Sequence, residues 1–231
     1  MRSGWYLALP GIGQDLPMRL DHISYAASHD QLVDVVQRLG SRIGSPFTDG
    51  GIHPGFGTRN FTLPLKNGHY IEIVCPLNHP AADSSPFGKI VSQRVNDGGG
   101  WLAWVLSTED LTQEEIRLKR NSVPGHRVRP DGVDLKWKQI GILNSLEDSQ
   151  LPYFIQWLTK EHPSIGSKPV AEISKIEIAG SEPVINKWLG KKINSVLKNV
   201  DIIWLDPKEN DNLTGIVAVH LKGLTGEIRI D

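Results

Sequence analysis

One short pattern, a strand, then an amphipathic helix, then further strands, is written more than once along this chain of 231 residues. The first copy runs from LDHISYAA at Leu20 to YIEIV ending at Val74, and the second from WLAWVLSTED at Trp101 to PYFIQWL ending at Leu158. Duplicated βαβββ units bury their apolar faces by packing together, and function then falls in the groove they share. Polar residues at matching places in the two copies therefore carry the most information.

In the first copy, alternation from Leu20 puts Leu20, His22, Ser24 and Ala26 on one face of a strand and Asp21, Ile23 and Tyr25 on the other. Ser28 followed by Gln31 reads as a capping box, and Leu32, Val35, Val36 and Leu39 recur at helical spacing before Gly40, which is expected to end the helix. A glycine-rich turn, GGIHPGFGT, leads into the strands RNFTLPL and HYIEIV, joined by a turn at Lys66, Asn67 and Gly68. The residues Pro76 to Gly100 read as a linker with a short helix over Phe87 to Val95. The second copy opens with a strand from Trp101 to Leu106, and its helix starts at Thr112 with Glu115 as the partner of another capping box. HRVRPDGVDLKWKQIGI then supplies strands around a turn at Pro130, Asp131 and Gly132, and PYFIQWL closes the unit.

A third fragment over 168–231 repeats the order strand, helix, strand with about one strand missing. Such a partial βαββ unit leaves a sheet edge free, which must be covered by the rest of the chain or by a second copy in a homodimer. The segment 1–17 is expected to form a loose arm, without the cleavage pattern of a secretory signal.

At 39% hydrophobic residues the chain has enough apolar material for a substantial core. A formal net charge of -1 gives no electrostatic argument for nucleic acid or an anionic membrane, and no apolar run has transmembrane length. The partner expected is a small molecule. One cysteine, Cys75, cannot form an intramolecular disulfide and suits a cytoplasmic location. The GGIHPGFGT loop lacks the lysine and the strand-loop-helix context of a phosphate loop.

LDHISYA, GGIHPGFGTRNFTLPLKNGHYIEIV, DGGGWLAWVLSTEDL, RVRPDGVDLKWK and FIQW occur in an order and spacing that resemble the glyoxalase-like domain of the vicinal oxygen chelate superfamily. The resemblance covers residues 18–160, with units at 18–75 and 100–160, and implies an α+β fold in which paired βαβββ units curl into a cup of mixed sheet. It implies metal ligands on the first and last strands of each unit. These fall on His22 and Glu72 in unit one and on Gln156 in unit two, where the first strand offers only Ala103, Trp104 and Val105, with His53 on the glycine-rich loop as a further donor. The implied cofactor is a divalent ion, Zn, Ni, Mn or Fe, or none at all. With a metal, Glu72 is the candidate catalytic base for isomerase, lyase or dioxygenase chemistry; without one, the chain binds or sequesters a small molecule. A third reading makes the C-terminal unit a protein-interaction module.

Each candidate also has a purely structural reading. His22 sits after Asp21 and can simply bond to it, Glu72 can pair with Arg59 or Arg129, and Gln156 can bond backbone. His53 on the glycine-rich loop, and Asn60 with Thr58 and Thr62 on one strand face, are expected to line the cup. Arg127 and Arg129 share a face and form a fork for a carboxylate, or lie solvated at a turn. Trp104 and Trp157, with Trp101 and Trp137, make a pocket wall or pack the core.

Overall fold

The computed structural model describes residues 17–166, 168–224 and 226–231, so the arm expected over 1–17 lies almost wholly outside the described residues. The first unit comprises β1 (Arg19–Ala26), α1 (Leu32–Ile43), β2 (Thr48–His53), β3 (Thr58–Pro64) and β4 (Tyr70–Pro76). The linker folds into two helices, α2 (Pro80–Ser84) and α3 (Pro86–Asn96). The second unit comprises β5 (Gly100–Ser107), α4 (Thr112–Leu118), β6 (Val123–Val128), β7 (Asp134–Ile140), α5 (Ile142–Glu147) and β8 (Tyr153–Trp157).

These strands close into a barrel in the order β1-β4-β3-β2-β6-β7-β8-β5. The two units therefore meet at two seams. β1 and β5 run antiparallel along most of their lengths, whereas β2 touches β6 through the pair Ile52 and Val128. The expected cup is thus a barrel, cleanly zipped on one side and lightly joined on the other.

Helix α1 follows its apolar spacing: Leu32, Val35, Leu39 and Ile43 are buried against the outer face of the sheet, each worth roughly 1.5–3 kcal/mol. Its ends differ from expectation. No side-chain cap forms at Gln31, and the helix runs through Gly40 to Ile43, where Gly44 takes the left-handed conformation at φ 80°. Gly40 stays inside because the Ser45 carbonyl crosses there, 3.0 Å from where a Cβ would stand. Helix α4 begins at Thr112 as expected, but Asp110 caps it by accepting from the Thr112 amide, while Glu115 turns to Ser122. In the linker, Ser85 accepts from the Gly88 amide and Pro86 opens α3, a longer helix than the Phe87 to Val95 segment anticipated.

The C-terminal fragment comprises β9 (Glu172–Ala179), α6 (Glu182–Leu189), β10 (Asp201–Leu205), β11 (Gly215–Gly223) and β12 (Gly226–Ile230), in the sheet order β10-β9-β11-β12. One face of this sheet lies on the barrel. Ile173, Ile176, Ile178, Val219 and Leu221 join Leu20, Ile23, Ile71 and Ile73 from the barrel's outer face in a continuous core. Trp101 fastens the join by donating its indole N–H to the Ile230 carbonyl at 2.9 Å. Among the described residues, no helix is long and apolar enough to cross a membrane.

Candidate functional site

A barrel of eight strands has just enough interior for side chains or one small ligand. Here the outward face is the aliphatic one, and the inward face carries much of the chain's buried polarity. A narrow cleft inside the barrel is lined by His22, His53, Asn60, Glu72 and Arg127 and walled by aromatic rings, among them Trp137 and Trp157.

Glu72 stands at the centre. Its Oε2 accepts from the Ser24 hydroxyl at 2.7 Å and its Oε1 from the Asn60 amide at 2.6 Å. Asn60 in turn accepts at Oδ1 from the Arg127 guanidinium at 3.0 Å, and the same guanidinium nitrogen donates to the Gly50 carbonyl. The side chain of Asn60 thus joins the buried cation to the buried anion. Burial by itself would push the Glu72 pKa up; the neighbouring His22 and His53 and the bonds from Ser24 and Asn60 outweigh it and hold the carboxyl below its usual range.

His22 stacks on Tyr70 with ring centroids 4.4 Å apart, places Nε2 3.8 Å from Glu72, and meets Asp21 through Nδ1 at 2.8 Å. A register shift in β1 between Leu20 and His22 lets Asp21 be fully buried beside its neighbour. Asp21 also bonds His162 at 3.1 Å and the Trp157 indole at 3.2 Å. Burial opposes ionisation of Asp21, but the bonds from His162 and His22 hold its pKa well below the normal carboxylate range. His53 sits at the end of β2, with Nδ1 2.9 Å from the Thr58 hydroxyl and its ring among Phe56, Phe87 and Trp137. Burial lowers its pKa from 6.5 to about 4, so it is neutral near pH 7. Its Nε2 makes no hydrogen bond with any described residue.

The remaining sequence candidates fall elsewhere. Arg129, just beyond β6, is paired with Asp131 outside the cleft, although with Arg127 it borders a separate pocket beside Asp49 and Gly50. Trp104 is wholly buried in the core outside the barrel, its indole donating to the Gln150 carbonyl at 2.9 Å. Gln156 faces outward and donates to the Glu109 carbonyl at 2.8 Å. The strand register explains the error. His22 lies opposite Tyr70 and Ser24 opposite Glu72 in unit one, while Val105 lies opposite Tyr153 and Ser107 opposite Ile155 in unit two. Matching Tyr70 to Tyr153 puts Val105 in the place of His22 and Ile155 in the place of Glu72. Overlaying YIEIV on FIQWL slipped the register by one residue, which turns a strand's side chains from one face to the other.

A catalytic divalent ion needs about three protein donors with open positions. Unit one supplies His22 and Glu72, with His53 lining the same cleft from the end of β2, unit two supplies Val105 and Ile155 at the places corresponding to His22 and Glu72, and both oxygens of Glu72 are bonded within the protein. Among the described residues, no group of three or more His, Cys, Asp or Glu side chains is arranged to hold a metal. The donor set does not fit the implied ion.

Tyr70, Tyr153, Gln139, Phe56 and Phe87 line the cleft without having been singled out as candidates. The two tyrosines carried a signal, a Tyr opening the last strand of each unit. Phe87 carried none, because only the packing of α3 over the barrel brings it there.

A closed barrel of two βαβββ units with a polar interior is the architecture of the vicinal oxygen chelate superfamily. The chain belongs to the glyoxalase-like domain family, which matches residues 20–192. Among solved structures it is similar to a hypothetical protein from Staphylococcus aureus, with a TM-score of 0.65 at 18% identity, over 93% of this chain and 99% of that one. Such coverage takes in the C-terminal sheet as well as the barrel. A methylmalonyl-CoA epimerase from Mycobacterium tuberculosis is similar at a TM-score of 0.40 and 17% identity, over 60% of this chain and 86% of that one. A hypothetical protein from Bacillus halodurans gives a TM-score of 0.42 and 16% identity, over 63% and 96%. No curated protein matches the chain.

Proposed function

We propose that this protein binds a small molecule inside the barrel without a metal, through an aromatic wall and a polar floor built by unit one. The observation that carries this is the state of the floor. Arg127, Asn60, Glu72 and Ser24 are locked to one another, while His53 Nε2 and Gln139 Nε2 line the same cleft with no partner among the described residues. Free donors or acceptors beside Trp137 and Trp157 suit a ligand with an apolar body and a hydrogen-bonding group. The buried Cys75 thiol, its pKa pushed up by burial to about 11, is consistent with a cytoplasmic location.

A thermal-shift and tryptophan-fluorescence screen of small molecules in excess chelator tests this. Saturable quenching with a rise in Tm is expected, unchanged when chelator is replaced by Ni, Zn, Mn or Fe. Binding that appears only with added metal would refute the metal-free reading, and a broad library without a hit would refute binding.

A second reading, proton transfer on the bound molecule, is favoured by the neutral His53 beside the ionised Glu72. Solvent-deuterium incorporation into a hit identified by the screen is the expected sign. If exchange persists unchanged in Glu72→Gln and His53→Asn, neither residue moves the proton.

A further inference from the structure

Next to the barrel cleft lies a second, solvent-open chamber whose wall is almost entirely apolar, with Phe56, Phe87, Ile140, Ile142 and Leu143 facing it. Phe56, Phe87 and Gln139 line both spaces, so the two adjoin across these three side chains. The outer rim leaves Val123 51% and Leu143 44% exposed, apolar surface that an occupant would cover.

One charged residue borders this chamber, Arg120. Its Nε is buried without a hydrogen-bond partner, and its guanidinium makes no ion pair with any described residue. A guanidinium stays charged at any ordinary pH, so leaving a buried N–H of that group unpaired costs free energy that an anion would restore. Arg59 Nε and Arg117 Nη2 are also buried without a hydrogen bond, but each of those guanidiniums has a carboxylate against it, Asp49 and Glu114 respectively.

We propose that the chamber holds the hydrocarbon body of the ligand and that Arg120 takes its carboxylate, so that the ligand is an amphipathic carboxylate. This rests on the reading of the cleft as a ligand site. A planar carboxylate matches the fork of a single guanidinium and neutralises its one charge. A phosphate dianion would bring a second charge into a wall whose other polar groups are the amides of Asn121 and Gln139. Those neutral amides suit a hydroxyl or carbonyl farther along the ligand.

Titration calorimetry with octanoate and with 1-octanol, which share a chain and differ in the charged group, tests the proposal. The wild type is expected to bind octanoate at least about tenfold more tightly than 1-octanol, the range of a charge-assisted bond. Arg120→Gln should bring octanoate down to the level of 1-octanol and leave 1-octanol unchanged, and Leu143→Trp should weaken both. Circular dichroism of both variants checks that the fold is kept. An octanoate preference that survives in Arg120→Gln overturns the proposal, and so does failure of octanoate to bind. If octanoate fails while a hit from the cleft screen still binds the wild type, Arg120→Gln and Leu143→Trp alike, the chamber proposal falls and the cleft reading stands. No hit of any kind overturns both.

Discussion

His53 makes the barrel interior sensitive to acid. It is 3% exposed and has ring neighbours at 5.6 to 6.2 Å between centroids, so a proton on its imidazole would be poorly solvated. Burial is the dominant cause of its low pKa, with Glu72 pulling upward and Arg127 pushing further down. In the unfolded chain the same side chain titrates at its ordinary 6.5, against about 4 when folded. Between these values the unfolded state takes up a proton that the native state refuses, so stability falls as pH falls through this window. At pH 4.5 the two values correspond to about 2.5 kcal/mol favouring unfolding, against only a few tenths at pH 7. His69, lowered to about 4 chiefly by its own burial, adds a separate loss, so the wild type alone cannot isolate His53. The comparison needed is with His53→Asn, followed by urea unfolding at pH 7 and pH 4.5. Between those conditions the wild type should lose about 2 kcal/mol more than the variant, whatever the variant has lost at pH 7 through its missing bond to Thr58. Equal losses, or a His53 resonance that titrates near 6.5 by NMR, would show that the imidazole is not held neutral and would remove the basis for its role in proton transfer.

Asn60→Ala removes one hydrogen bond from each of two buried charges, leaving Glu72 only the Ser24 hydroxyl and Arg127 only the Gly50 carbonyl, and should cost about 2–4 kcal/mol in chemical denaturation. The two neighbouring arginines should separate cleanly: Arg129→Ala, which breaks an exposed pair, changes stability by about 0.5 kcal/mol or less, while Arg127→Ala is severe. Similar effects from both would contradict the difference in their burial. Gly57 has φ 64°, and a Cβ there would stand 2.3 Å from the Ala82 backbone nitrogen, so Gly57→Ala should lower Tm by several degrees and free α2 for faster proteolysis. Trp101→Phe keeps the ring but removes the bond to Ile230, and faster hydrogen exchange confined to β12 and its neighbours is the expected trace.

The fold was legible because each of its main signals is local or periodic. Period-two alternation marked β1 and β4, and the apolar spacing of Leu32, Val35 and Leu39 marked α1. The positive-φ pair Asn67 and Gly68 sits where the turn residues indicated. What escaped depended on tertiary contact. Gly40 looked like a helix terminator, yet its lack of a side chain serves the crossing Ser45 carbonyl. Helix α5 is a short segment between β7 and β8 held by Gly141 at φ 102°, too brief to show a period. The C-terminal unit, expected as a βαββ fragment with a strand missing, has the full order β9, α6, β10, β11 and β12, because β12 is a short strand after the turn at Gly223 that the sequence pattern did not separate from β11; β10 and β12 are its edges, and a face meets the barrel.

At the site, legibility followed the same division. His22, His53, Asn60, Glu72, Arg127 and Trp157 all reach the barrel interior, because all six lie on strands whose alternation fixes the inward face, His53 and Trp157 as the last residues of theirs. Gln156 failed for a reason that bears on function. Its assignment assumed that the two units present their last strands in the same register as the motif overlay, and a strand forgives no slip of one residue. With the register taken from the backbone pairing, the second unit offers Val105 and Ile155 where the first offers His22 and Glu72. The asymmetry is therefore greater than the sequence overlay suggested, and it has a physical consequence. A metal shared between units draws its charge balance from both, whereas here the whole charge of the interior must balance within unit one and its one neighbour across the light seam, Arg127 on β6. Glu72 meets that need by bonding Ser24 and Asn60 and reaching Arg127 through Asn60. A carboxylate satisfied in this way no longer has to bind a cation, and the apolar half of the barrel that faces it is free to take the body of a ligand.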